Sequence, residues 1–165
     1  MGGMTLGVHF AIDATTAGRL LAAADDGQVV ALVEEIEEEA VGVGHCDTDK
    51  AWDAIHRSLT DGCLGFENGS YPLNAAVLGG VPLHEGDDWI VCLLTPDQVR
   101  DVADAVAGVG REALRAGYDQ IDVEDYGPEF GDEDFAYTWA NFTDLVVFFR
   151  EAADAGSHVV FTVAQ

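Results

Sequence analysis

Alternating and continuous apolar runs predict three strands in this chain. Apolar and small or polar residues alternate over residues 4–12, as in a strand with one face on a core. Residues 89–94 are continuously apolar, which is typical of a strand covered on both faces. Residues 158–163 predict a last strand near the C-terminus.

Helical periodicity separates these strands. It predicts helices that open at Thr15 or Thr16, that span about 28–41 and 111–118, and that follow Asn141 or Thr143 up to Gly156. The segment that begins Thr95-Pro96 has Gln at the third helical position, which predicts a capping box. Residues 119–134 are dense in carboxylates and are expected to form a surface loop, and residues 73–78 fit a short helix or a strand.

A further helix is predicted within residues 45–63. Asp47 or Thr48 can cap its start, and Gly62 can end it in the left-handed conformation. Its apolar stripe holds a histidine: Trp52, Ile55, His56 and Leu59.

Together these elements predict one α+β domain over residues 1–165. We expect a small mixed sheet that includes the N- and C-terminal strands and is covered by several helices. The sequence has no internal repeat and no change of composition that would mark a linker.

The net charge of −24 limits the kinds of partner that the protein can bind, because the chain has only seven Lys and Arg. Binding to nucleic acid or to an anionic membrane needs cations, so neither is expected. The acidity fits either a solvated surface or a face that meets a basic protein.

Three cysteines at irregular spacing favour reduced thiols, and no signal peptide or membrane-length apolar run is found. We therefore predict a cytoplasmic protein.

Candidate chemistry centres on His56. It could act as a general base beside Trp52, or it could be a core histidine whose ring is satisfied by backbone or by Asp47 or Asp53. Cys46 precedes the predicted helix start, which favours a thiolate, but the neighbouring carboxylate of Asp47 raises the pKa of its thiol.

Metal and cofactor motifs are missing from the sequence. Paired zinc ligands are absent, the Asp47-x-Asp49 pair does not continue as a calcium loop, and the glycines form no phosphate-binding loop. We expect no metal and no cofactor.

Two acidic segments are candidates for binding a partner. The first is residues 34–39, which are almost entirely Glu, and the second is residues 119–134. Across residues 122–142 carboxylates alternate with aromatic side chains, which suits an interface as well as core packing. The candidate contact residues are Glu34, Glu35, Glu38, Asp122, Glu124, Asp125, Tyr126, Glu129 and Phe130.

Several short motifs resemble the YfbM-like proteins, a bacterial family without an established function. They run in order along the chain: Gly3-Met4, Asp47 with Asp49-Lys50-Ala51-Trp52, Ile55-His56, Leu78-Gly79-Gly80, Leu94-Thr95-Pro96 with Val99, and Phe148 with Ala152-Ala153 and Gly156. The resemblance implies a single α+β domain and brings no catalytic residue or cofactor.

Two classes of function remain open at this point. The first is a non-enzymatic acidic domain that binds a basic protein, as an immunity protein or antitoxin does. The second is a small hydrolase or transferase with a pocket around Trp52 and His56. The absence of a complete catalytic motif favours the first.

Overall fold

Five antiparallel strands form the central layer of the structure, a computed structural model that describes residues 6–39, 44–66 and 68–164. The strands are β1 (Gly7–Ile12), β2 (His45–Asp49), β3 (Val81–Pro82), β4 (Trp89–Leu94) and β5 (His158–Ala164). Their order is β2-β1-β5-β4-β3, so the first and last strands are neighbours at the centre.

The prediction of a mixed sheet is wrong, because each pairing between the described strands is antiparallel. β1 and β4 do run in the same direction. They never pair, since β5 lies between them and runs opposite to both.

Helices cover both faces of the sheet. α1 (Ala14–Leu21) and α2 (Asp26–Glu39) lie on one face. The other face carries α3 (Trp52–Leu59), α4 (Pro96–Ala107), α5 (Arg111–Tyr118), α6 (Val123–Tyr126) and α7 (Asp132–Asp154). Val91 and Leu93 of β4 pack under α1 and α2, and Leu94 packs on the opposite side. This confirms the prediction that residues 89–94 form a strand covered on both faces.

Local capping chemistry explains where several helices begin. Thr95 accepts a hydrogen bond from the Gln98 amide and the Gln98 side chain accepts one from the Thr95 amide, which confirms the capping box of α4. α1 begins earlier than predicted, because Asp13 is its cap instead of Thr15 or Thr16. Residues 4 and 5 of the predicted first strand, and residues 40 and 41 of the predicted second helix, lie outside the described residues.

The prediction that Asp47 or Thr48 caps α3 is wrong, because both residues belong to β2. Thr48 is buried and donates its hydroxyl to the carbonyl oxygen of Gly7 at 3.0 Å, while the Asp47 carboxylate accepts from the Asp49 amide at 2.7 Å. Gly62 does end the helix: its φ is 90°, and its amide donates to the Arg57 carbonyl oxygen at 3.0 Å.

Residues 119–134 do not form a loop as predicted. They contain α6 and the first turn of α7, which begins at Asp132 and therefore well before the predicted start at Asn141 or Thr143. Phe135, Thr138 and Phe142 are buried at helical spacing, and the carboxylates of the first turn are favoured by the helix dipole. Residues 73–75 form a short 3₁₀ helix.

Candidate functional site

A groove of about 590 Å³ lies between β2 and the C-terminal half of α7. On the strand side it is lined by His45, Cys46 and Asp47. His9, opposite Cys46, packs against rings of α7, whereas Phe10, opposite His45, packs under α1 and α2. Alternation along the strand therefore directs Cys46 toward α7 and His45 toward the side of α1 and α2, and Ala11 of β1 lines the groove as well.

The helix side of the groove is one stripe of α7. Asp144, Val147, Phe148, Glu151 and Ala152 line it at the three- and four-residue spacing that places side chains on one helix face. Phe148 and Ala152 are buried and form its floor. Val147 is 56% exposed, and both carboxylates face solvent at the rim.

The groove has a single sign of charge. Asp47, Asp144 and Glu151 line it, and among the described residues that line it there is no Lys or Arg. Burial, together with the negative charges of Asp144 and Asp47, raises the pKa of the Cys46 thiol to about 12. Cys46 is therefore protonated near neutral pH and is a poor nucleophile.

His56 lies elsewhere and is 1% exposed. Its Nε2 donates to the side-chain oxygen of Asn68 at 3.0 Å, so its partner is neither Asp47 nor Asp53. The Asn68 amide nitrogen in turn donates to the hydroxyl of Thr60 and the carbonyl oxygen of Cys63. Burial lowers the pKa of the imidazole. The residue thus holds the loop after α3 in place.

Trp52 is also buried, at 4% exposed, and its ring lies 5.9 Å from that of Phe161 in the core. Trp52 and His56 therefore do not open onto a solvent-accessible pocket, as the hypothesis of an active site beside them would require.

A buried arginine that the sequence interpretation missed connects α3 to α6. Arg57 is 2% exposed; its Nε lies 2.5 Å from Asp53 and a terminal nitrogen lies 2.8 Å from Asp125. Its guanidinium also lies 5.6 Å from the ring centre of Tyr126. The four-residue spacing of Asp53 and Arg57 was a visible signal, whereas the contact with Asp125 is long-range.

The aromatic candidates of the second acidic segment are engaged inside the fold. Tyr126 and Tyr118 each donate a hydroxyl to Asp134, at 2.6 and 2.7 Å. Phe130 stacks on Tyr118 with ring centres 4.7 Å apart. Both candidate rings are half-buried, while Asp122, Glu124 and Glu129 remain exposed.

The first acidic segment is the outer face of α2. Glu34, Glu35 and Glu38 are exposed, and Glu35 pairs with Arg19 at 2.9 Å. α2 and α6 lie in the layers on opposite sides of the sheet, so the fold does not bring the two acidic segments together.

Within the described ranges, no three His, Cys, Asp or Glu side chains come together as a metal site would require. The three cysteines are free thiols, of which Cys63 is exposed. Among the helices of the described chain, none combines the length and the apolar character that crossing a bilayer demands.

The fold and its acidic groove define a small α+β domain with an antiparallel sheet between two helical layers. Residues 1–162 match the family model described as Domain of unknown function (DUF1877), and the chain belongs to this family. Protein YfbM of Escherichia coli (strain K12) is 27% identical over 141 residues, which cover 80% of this chain and 84% of that protein.

The crystal structure of YfbM from Escherichia coli, described as a protein of unknown function, has the same fold. It superposes with a TM-score of 0.69 at 23% sequence identity, covering 96% of this chain and 99% of that one. The resemblance to YfbM-like proteins and the α+β fold that it implied are thereby confirmed.

Proposed function

We propose that this protein is a non-enzymatic acidic domain that binds a basic partner protein, as an immunity protein or antitoxin neutralises a basic toxin. The observation that carries the proposal is that most of the few cations already interact with groups of the same chain. Five of the seven Lys and Arg, namely Arg19, Arg57, Arg100, Arg115 and Arg150, form ion pairs with carboxylates of the same chain.

A sixth cation, Arg111, lies over the rings of Phe135 and Trp139, 5.2 and 5.9 Å from their centres. With 31 Asp and Glu in the chain, most carboxylates have no cation to neutralise them. A surface of one sign attracts an oppositely charged protein and accelerates its association.

The geometry of the candidate catalytic residues supports binding over catalysis. His56 and Trp52 are buried away from solvent, and the Cys46 thiol stays protonated because its pKa is raised to about 12. Neither arrangement favours the alternative hypothesis of a hydrolase or transferase.

Free thiols also support a reducing compartment such as the cytoplasm, since cysteines in oxidising compartments generally form disulfides. We place the protein there as part of this proposal.

The test is a calorimetric titration of the purified protein against the products of adjacent genes, at low and at high salt. We expect a complex with a basic protein whose affinity falls as salt rises, because screening weakens interactions between exposed charges. An affinity that ignores ionic strength, or that is lost only when the core is mutated, would contradict the proposal.

Two variants test the acidic segments separately. Glu34→Gln with Glu38→Gln removes charge from α2, and Asp122→Asn with Glu129→Gln removes it from the second segment. Ala31→Gln, an exposed neutral change on α2, is the control and should leave affinity unchanged.

A further inference from the structure

The edge strand of the sheet forms one wall of the groove between β2 and α7. β2 is the outermost strand in the order β2-β1-β5-β4-β3, and His45, Cys46 and Asp47 line the groove in succession. Extended peptide segments bind at sheet edges by adding a strand, with main-chain hydrogen bonds supplying affinity. The shape of the groove therefore suits an extended segment.

The negative charge of the groove favours a segment that carries basic side chains. Asp47, Asp144 and Glu151 are exposed on its two walls, and none of the three is ion-paired with an arginine or lysine of the described chain. They differ in this from Asp125, which Arg57 engages. Basic side chains of an incoming segment would supply the missing countercharge.

The floor of the groove is apolar between the carboxylates. Val147 is 56% exposed and lies between Asp144 and Glu151 along α7, next to buried Phe148. Alternate side chains of a strand point to opposite sides, so basic and apolar residues in alternation can meet the rim and the floor.

The spacing of the helix carboxylates fits such a segment. Asp144 and Glu151 are separated by about 10 Å along the helix axis, from a rise of about 1.5 Å per residue. Basic residues two or four positions apart in a strand are about 7 or 13 Å apart, and their long side chains cover the difference.

We infer that the groove between β2 and α7 binds an extended basic segment of the partner protein, which adds as a strand at the edge of β2. This inference rests on the proposed function and names the surface that performs it.

The test uses a fluorescein-labelled heptapeptide of alternating Lys and Val with blocked ends, measured by fluorescence polarisation at low salt. Asp144→Asn with Glu151→Gln should weaken binding about tenfold, because two exposed charge contacts are lost. Asp87→Asn with Glu112→Gln is the matched control: it removes the same charge from exposed carboxylates that do not line the groove and should change affinity less than twofold.

Two further measurements examine the strand addition itself. Amide chemical shifts of the labelled protein should change at residues 44–47. A peptide of the same sequence, N-methylated at alternate residues, keeps every charge but loses main-chain donors, and it should bind more weakly.

The outcomes separate this inference from the proposed function. If both carboxylate pairs weaken the peptide equally, or if the N-methylated peptide binds equally well, the groove is not the site, although an acidic binding domain remains. Shifts confined to α2 or α6 overturn the inference in the same way. If a basic gene-neighbour product binds in a salt-sensitive manner without competition from the peptide, the groove alone is refuted. If no basic ligand binds at all, both proposals fail.

Discussion

Replacing Arg57 with Met removes the charge that connects α3 to α6 while keeping most of the side-chain volume. Arg57 is 2% exposed, and its guanidinium contacts Asp53 at 2.5 Å and Asp125 at 2.8 Å. It also donates to the carbonyl oxygen of Gly62 at 3.3 Å. The substitution therefore leaves the mostly buried Asp53 carboxylate without its arginine donor.

Asp53 determines the size of the effect. Its side chain is only 28% exposed, and burial raises its pKa even with the guanidinium of Arg57 beside it. Removing one partner of a buried pair costs about 3–5 kcal/mol of unfolding free energy. Asp125 is 62% exposed, so its pair adds no more than about 1 kcal/mol. We expect Arg57→Met to lower Tm by roughly 10 °C.

The penalty should depend on pH in a defined direction. A carboxyl whose pKa is raised in the folded state is destabilising once it ionises, and the loss of Arg57 raises the pKa of Asp53 further. The cost of Arg57→Met is therefore small under acidic conditions and grows as pH rises through that pKa. Urea denaturation at about pH 5 and about pH 7.5 measures the difference.

Two further variants make the prediction specific. Asp125→Asn should cost no more than about 1 kcal/mol, because its carboxylate is exposed. Arg57→Met combined with Asp53→Leu should recover most of the lost stability, since a buried ion pair can be replaced by apolar side chains at little cost. A penalty for Arg57→Met below about 1 kcal/mol, or one that is the same at both pH values, would refute the reasoning.

Four other substitutions have predictable effects on urea denaturation. Gly117→Ala should destabilise by about 1–3 kcal/mol because its Cβ would overlap the Ser58 carbonyl oxygen, whereas Gly18→Ala, a helical glycine with open space around it, should stabilise by about 0.5–1 kcal/mol. Thr95→Ala removes the cap of α4 and should cost about 1 kcal/mol. Burial lowers the pKa of His9 from 6.5 to about 4, so its contribution is present above pH 6.5 and is lost on acidification through about pH 4. His9→Gln should flatten that pH dependence.

Local chemistry made several boundaries predictable from the sequence. The capping box at Thr95 and Gln98 involves only neighbouring residues, and Gly62 takes a left-handed conformation that favours glycine. The apolar run at 89–94 likewise predicts a covered strand whatever its partners are. Such signals depend on nothing distant in the chain.

Features decided by distant contacts were misjudged. β2 is mostly polar, and its sequence therefore predicts a helix start. In the fold Thr48 is buried and donates its hydroxyl to the carbonyl oxygen of Gly7, forty-one residues away in sequence. The early start of α7 is predictable from the sequence in principle, since Phe135, Thr138 and Phe142 have helical spacing. Dense carboxylates around them concealed that pattern.

The distinction between local signals and long-range contacts also applies to the surface that would bind a partner. Runs of carboxylates are easy to see in a sequence, but in the segment after α5 the fold uses part of the run: Asp125 pairs with Arg57, and Asp134 accepts from two tyrosines. Asp47 is far in sequence from Asp144 and Glu151, and the three form no run, yet the fold brings all of them to one groove. A carboxylate that the fold leaves without a cation can attract a partner more effectively than one already paired, so pairing indicates the binding surface better than local charge density does.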